Sequence, residues 1–418
     1  MTKRNSVMLT SIAVLCFLPG RPVCGASPAA AGAERDYTFE SRISRPVLEN
    51  YLSRSITMLD LLTGKGNFED NVRMLTNIGA KFAGRTVYRW GHEAQLPEML
   101  STAGRHAARV HAADPQMILQ AAVFEIVSKE VSELPIPQWV FRAFDRKPER
   151  RNFDYEQMVY PGGRGRDQWW QGASVPDISR LETKLWFYYA AASYIDLGCE
   201  AIHFGQAEIM DGNDPEHEHW WRLLDRIRDY AARHARRKRV LYDTHDPTGG
   251  MRSHENLLFD FHSFPLRIVE IPDEPQEGVL KMGAFDSIYR RSMGGTTPSG
   301  WKCEHLPYLV EVDNWGASNQ PGRPHAGSCW VWGYDEISWF AHQDRDYRNL
   351  WLRYAWHWVR RHDPNGFLQM PGSRILHSPV GDQYWYWANT RSEAVPQGFG
   401  QEATIKAIWS ADTPEPEK

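Results

Sequence analysis

Two carboxylates close apolar runs that lie well apart in the chain: Glu208 ends 201-AIHFGQAE-208, and Glu311 falls within 306-LPYLVEVDNW-315. An acid that gives up a proton and an ionised carboxylate that attacks carbon or activates water form the smallest set able to cleave a bond to oxygen without a cofactor. Gln206, Asp243, His245, His262 and Asp313 stand at similar places in their own runs and could bind hydroxyls or tune the two carboxyls. Trp90, Trp170 and Trp315 follow such runs and offer flat apolar faces with one N–H donor each. Two other assignments stay open: Glu208 as one end of an ion pair with an arginine such as Arg85, and Asp313 in the role of Glu311, whose side of the strand it shares.

The elements that must hold these groups alternate between short apolar runs and longer amphipathic ones. Strands are expected at 55–60, 82–90, 117–127, 201–208, 239–245, 257–264, 306–315 and 366–372. Helices are expected at 68–79, 96–113, 178–198, from Asp214 as N-cap with Pro215 next to about 237, at 335–362 and at 401–409. Those after the fifth and sixth strands are poorly defined. Eight strands alternating with helices predict one α/β domain, a (β/α)8 TIM barrel with loop insertions near 129–177 and 271–304. Functional residues on such a barrel gather at the C-terminal ends of the strands, where all the candidates above fall.

Composition sets the bounds. The 418 residues are 42% hydrophobic and 24% charged, ordinary for a folded domain. Forty-eight basic against 52 acidic residues leave a net charge of −4, so no overall field attracts nucleic acid or anionic membrane. The basic run 232-ARHARRKRV-240 belongs at a helix C-terminus, where cations meet the negative end of the dipole. Residues 1–26 have the layout of a secretory signal peptide: Lys3 and Arg4, then 7-VMLTSIAVLCFLPG-20, then small residues. They predict a secreted or periplasmic protein, free of the membrane once the signal is cut. A linker over 27–45, a barrel over 46–410 and a tail over 411–418 would follow. Of Cys199, Cys303 and Cys329, only the last two lie in loop-like segments able to form a bridge.

A glutamate closing the fourth strand and another closing the seventh resembles the superfamily of retaining glycoside hydrolases built on (β/α)8 barrels. The resemblance implies Glu208 as acid/base, Glu311 as nucleophile and a carbohydrate as substrate, with no cofactor and no metal. Where that superfamily carries asparagine before the acid, this sequence has Ala207, with Gln206 one residue earlier. Carboxyls about 5–5.5 Å apart would retain anomeric configuration and about 6.5–9.5 Å would invert it. Eighteen tryptophans, many in post-strand segments, suit the faces of sugar rings.

Two rival classes remain. Glu125, Glu208, Asp243, His245, His262 and Glu311 could form the oxygen- and nitrogen-rich site of a metal-dependent barrel isomerase or hydrolase, although no His-Glu-x-x-His occurs. A degenerate, non-catalytic carbohydrate-binding barrel would keep the loop aromatics and lose a carboxylate. The segment 161-PGGRGRDQWWQG-172 could wall a cleft, with Arg164 and Arg166 forking onto an acidic sugar, or be a surface excursion. The 216-EHEH-219 run is expected to be a solvated first helical turn, and the absence of Gly-x-Ser-x-Gly argues against a serine nucleophile.

Overall fold

The computed structural model describes residues 35–315, 320–323 and 331–412. Eight parallel strands form a ring: β1 (Ser55–Met58), β2 (Phe82–Arg89), β3 (Ile118–Val123), β4 (Ala201–His203), β5 (Leu241–Asp243), β6 (His262–Pro265), β7 (Tyr308–Glu311) and β8 (Gly366–Val380). Hydrogen bonding runs unbroken from β6 through β7, β8, β1, β2, β3 and β4 to β5. Between β5 and β6, a parallel bridge pairs His245 with Ser263, and Ser263 N donates to the Thr244 carbonyl at 3.1 Å. The architecture is a (β/α)8 barrel with insertions.

Seven crossovers join the eight strands, and helices fall within the expected runs after β1, β2, β3, β4, β7 and β8, while the one before β1 lies outside those runs. Those that matter for the site are α1 (Arg45–Leu52), α2 (Phe68–Ile78), α3 (Leu96–Ala113), α4 (Leu181–Asp196), α5 (Glu218–His234), α6 (Glu336–His342), α7 (Arg345–His362) and α8 (Glu402–Ala411). The run 335–362 is two helices, because Asp344 caps α7 by accepting from Tyr347 N at 2.8 Å. Asp214 is not the N-cap expected and Pro215 is not in the helix: α5 begins only at Glu218 with His217 in the N-cap position, and the Asp214 carboxylate accepts from His219 N at 2.7 Å from outside the helix. No α-helix follows β5 or β6. The segments 246-DPTGGMRSHEN-256 and 271-IPDEPQEG-278 are rich in proline, glycine and charge, carry no apolar period, and form short strand pairs instead.

The barrel body starts earlier than residue 46. Tyr37, Phe39 and Ile43, within the stretch read as linker, pack with Leu48, Tyr51 and Leu52 of α1 against Phe82, Ile118, Ala201 and Leu241, the first residues of their strands. This layer plugs the N-terminal end of the barrel. Arg35 and Arg54 both bind Asp412, at 2.9 and 2.8 Å, and so fasten one end of the described chain to the other. The insertion over 129–177 is held by an antiparallel pair, Val127–Ser128 with Ala173–Ser174, and buries Val131, Val140, Phe141 and Met158 in the main core. Strand β8 runs beyond the expected Gly372 and turns back as β9 (Gln383–Trp387), a hairpin standing at the C-terminal rim. Residues 1–34 and 324–330, which include the signal-like stretch, Cys24 and Cys329, lie outside the described residues. Cys303 has its thiol 3.9 Å from the Gly295 carbonyl. No helix among the described residues is long and apolar enough to cross a membrane.

Candidate active site

A cavity of about 620 Å³ opens at the C-terminal end of the barrel. Tyr88, Trp90, Phe124 and Trp169 form one wall, and Phe264 on β6, Trp315 in the segment after β7 and Ile375 on β8 face the cavity. The polar groups between these walls include Arg85, Glu125, His203, Gln206, His245, Arg267, Asp286, Asp313, Asn314, Arg374 and His377.

The local backbone explains how several of these are aimed. Strand β2 slips register against β3 between Ala83 and Val87, and Arg85 there has φ 55°, a conformation that turns its side chain inward. Gln120 holds the bulge by accepting from Arg85 N at 3.1 Å. Strand β4 ends at His203, because Gly205 adopts φ 51° and a Cβ there would meet Glu125 Oε2 at 1.8 Å. Glu125 is thereby free to accept from Gln206 N at 2.9 Å and Gln206 Nε2 at 2.8 Å.

Beneath the cavity lies a cluster of charges. Glu311 is 1% exposed, and both of its oxygens are bonded. Oε1 lies 2.5 Å from Arg85 and 3.1 Å from His245 Nε2, while Oε2 accepts from Arg374 at 2.6 Å and Thr57 at 3.1 Å. Burial alone would push this carboxyl up, but Arg85 and Arg374 hold it well below the usual range. Asp313 sits two residues further along the chain, with its side chain 13% exposed and lining the cavity. Burial pushes it up as well, and Arg374, which bonds it directly, brings it below its ordinary value. His203 gives Nδ1 to Asp243 at 2.7 Å, and Asp243 also accepts from Gln120 Nε2 at 2.6 Å and Ser263 Oγ at 2.7 Å. Burial lowers the His203 pKa to about 4, so its ring is neutral at pH 7 and presents Nε2 towards Arg85.

Of the residues singled out in the sequence, Gln206, His245, Asp313, Trp90 and Trp315 line the cavity together. Asp243 is one step behind, orienting His203. Glu208 lies in the turn Ala207–Met210 rather than on a strand; its carboxylate accepts from Thr248 Oγ1. It stands at the rim, two residues past Gln206 and next in space to the segment of Pro247, both of which line the cavity. Arg85 pairs with Glu311 and not with Glu208. His262 is a core residue at the start of β6, its Nδ1 3.1 Å from Ser292 Oγ, and does not line the cavity. Trp170 is 38% exposed and stacks on His92 outside the cavity, while its neighbour Trp169 forms part of the wall. Arg166 pairs with Glu156 at the surface and Arg164 lies over the Tyr160 ring, so the insertion contributes an indole and no arginine. In the 216–219 run, His217 binds Asp211.

Sequence reasoning missed Arg374 and His377, which sit on the part of β8 beyond Gly372. The alternation in 373-SRILHSPV-380, followed by the Gly381-Asp382 turn, was the available signal. It also passed over Arg267, whose guanidinium lies 3.5 Å from the centre of the Trp315 ring. The residues weighed as metal ligands are dispersed among the partners just described. Among the described residues, no group of three or more His, Cys, Asp or Glu is placed to hold a metal ion.

No protein-family model and no curated protein matches the sequence. Solved structures resemble the chain distantly. The debranching enzyme of Nostoc punctiforme, soaked with acarbose, aligns with 87% of this chain and 81% of its own at 9% identity and a TM-score of 0.42. A GH5_18 from Bifidobacterium longum subsp. infantis aligns with 87% of this chain and 80% of its own at 9% identity and a TM-score of 0.40. The isomalto-dextranase of Arthrobacter globiformis T6, complexed with panose, aligns with 75% of this chain and 49% of its own at 12% identity and a TM-score of 0.30. Likeness of this degree says nothing of substrate or activity, and the barrel rests on its own strand pairing.

Proposed function

We propose that the chain is an exported glycoside hydrolase acting on a poly- or oligosaccharide, with Glu208 as general acid and Asp313 as the ionised carboxylate facing the anomeric carbon. One observation carries the reading: an aromatic-walled cavity at the barrel mouth holds, between its walls, a carboxylate that Arg374 keeps charged. Ring faces would lie on Trp90 and Trp315, and hydroxyls would meet Gln206, His245 and the neutral His203. Glu208 at the rim would protonate the departing glycosidic oxygen, Asp313 would attack the carbon or activate water, and the deprotonated Glu208 could then take a proton from water. That Glu311 is sealed under the cavity with every oxygen bonded supports giving the nucleophile's role to Asp313. Glu311 would then anchor the two arginines. The signal-like residues 1–26 support export to the periplasm or medium.

The experiment sets wild type against Glu208→Gln, Asp313→Asn, Glu311→Gln and Glu125→Gln on aryl glycosides and polysaccharides, with and without chelator. Glu208→Gln and Asp313→Asn should lose about 10²–10⁴-fold in kcat with the fold intact, and wild type should be indifferent to chelation. Dependence on added metal, or near-full activity in Asp313→Asn, would sink the reading. Glu125 lines the cavity just past the end of β3, four strands from β7 around the ring. If Glu208→Gln keeps its activity and Glu125→Gln loses it, the acid is Glu125.

A further inference from the structure

Just outside the cavity, two carboxyl groups converge on one hydroxyl. Thr248 Oγ1 bonds Glu208 Oε1 and lies 2.9 Å from Asp246 Oδ1, which also accepts from Thr248 N at 3.1 Å. Asp246 is 0% exposed, and its Oδ2 has no hydrogen-bond donor facing it. A threonine hydroxyl has a single proton, and an ionised carboxylate can only accept. The hydroxyl can donate fully to only one of them, and the second contact becomes a full hydrogen bond when the other carboxyl is an acid that donates to the threonine oxygen. The buried member is the one that loses most by being charged.

We propose that Asp246 is protonated at neutral pH and shares its proton with Glu208 through Thr248, making Asp246 and Thr248 positioning residues that keep Glu208 supplied as a proton donor. This rests on Glu208 being the general acid. In the step itself, the Asp246 O–H bond breaks as Thr248 Oγ gains that proton. The original Thr248 O–H bond breaks as its proton passes to Glu208. The net change is one proton moved from Asp246 to Glu208, with no other bond altered. Burial first, and the neighbouring Glu208 second, push the Asp246 carboxyl well above its ordinary value, in keeping with this arrangement. The charged and titratable groups near the pair are His217, which faces Glu208 from the entry to α5 and is itself bonded to Asp211 with Asp214 nearby, and Arg291, which donates to the Pro247 carbonyl at 2.5 Å. Arg291 is spent on that backbone oxygen and on the Asp286 and Ser287 carbonyls, so it does not neutralise either carboxyl.

Two readouts test this on the whole protein with Asp246→Asn, Thr248→Val and Thr248→Ser. The first needs no activity: an infrared difference spectrum, wild type minus Asp246→Asn, at pH 7. A protonated-carboxyl carbonyl band in that difference is expected, and a difference without it overturns the proposal. The second is the pH profile of kcat. Asp246→Asn and Thr248→Val should move the basic limb down by at least about one pH unit and cost about 10-fold or more with a poor leaving group. A dinitrophenyl glycoside, which needs no proton, should be cleaved nearly as before, and Thr248→Ser should behave as wild type. An unmoved limb in both variants, or equal losses with good and poor leaving groups, also overturns it. If the infrared band is present while wild type cleaves no glycoside, the proton sharing stands and the glycosidase reading falls.

Discussion

Replacing Arg374 with methionine would take away the cation that joins Glu311 to Asp313. Its side chain is 6% exposed, and the two carboxylates it binds are 1% and 13% exposed. Arg85 remains on Glu311 but lies 3.8 Å from Asp313, too far to replace the lost bond. Breaking a buried pair while leaving its charge behind costs about 3–5 kcal/mol. The sign with pH follows from the lowered carboxyls: their contribution is complete above the unfolded pKa of roughly 4 and fades as pH falls through the folded values. The variant loses most of Asp313's share of that contribution, because burial then raises Asp313 while Arg85 still holds Glu311 down, so its deficit against wild type should be greatest near pH 7 and shrink below about pH 4. Urea unfolding followed by circular dichroism at the two pH values measures it. As a control, Arg222→Met removes an exposed i,i+4 partner of Glu218 and should cost no more than about 0.5 kcal/mol. A deficit for Arg374→Met below about 1 kcal/mol at pH 7, or one that does not change with pH, would refute the reasoning.

Gly205→Ala should fold but lose at least about 10-fold in kcat/KM, because its Cβ must displace the Glu125 carboxylate and with it Gln206; near-wild-type kinetics would show that this link is not used. Trp315→Ala should raise KM about 10-fold, since a ring–indole face is worth roughly 0.5–1.5 kcal/mol beyond area, whereas Trp170→Ala, outside the cavity, should change KM little on short substrates. Asp243→Asn should cost activity without changing the fold, because an amide in that place no longer fixes which nitrogen of His203 faces the cavity; an unchanged kcat would remove His203 from the site.

The eight strands were legible because a parallel strand covered on both faces is an almost continuous apolar run, and its limits show as turns. The missing helices after β5 and β6 were legible as a lack of period, though not as the strand pairs that replaced them. The site was half legible. A period of two says that Glu311 and Asp313 share a side of β7, but not how deep each lies; that is decided by Arg85 and Arg374, on strands far away in sequence. The same alternation was carried too far along 201–208, since Gly205 leaves the extended conformation and Glu208 no longer belongs to the strand. Arg374 was hidden by the proline and glycine at 371–372, which read as the end of a strand that in fact continues into a hairpin.

The fastening of Arg35 and Arg54 onto Asp412 has a practical side. Both ends of the folded body leave from the plugged, N-terminal end of the barrel, and the mouth faces the other way. A carrier, surface tether or neighbouring module joined at either end would hold the protein by its base, with the opening turned outward. The same closeness would let a short peptide join the two ends, so that new termini could be cut elsewhere without reshaping the mouth.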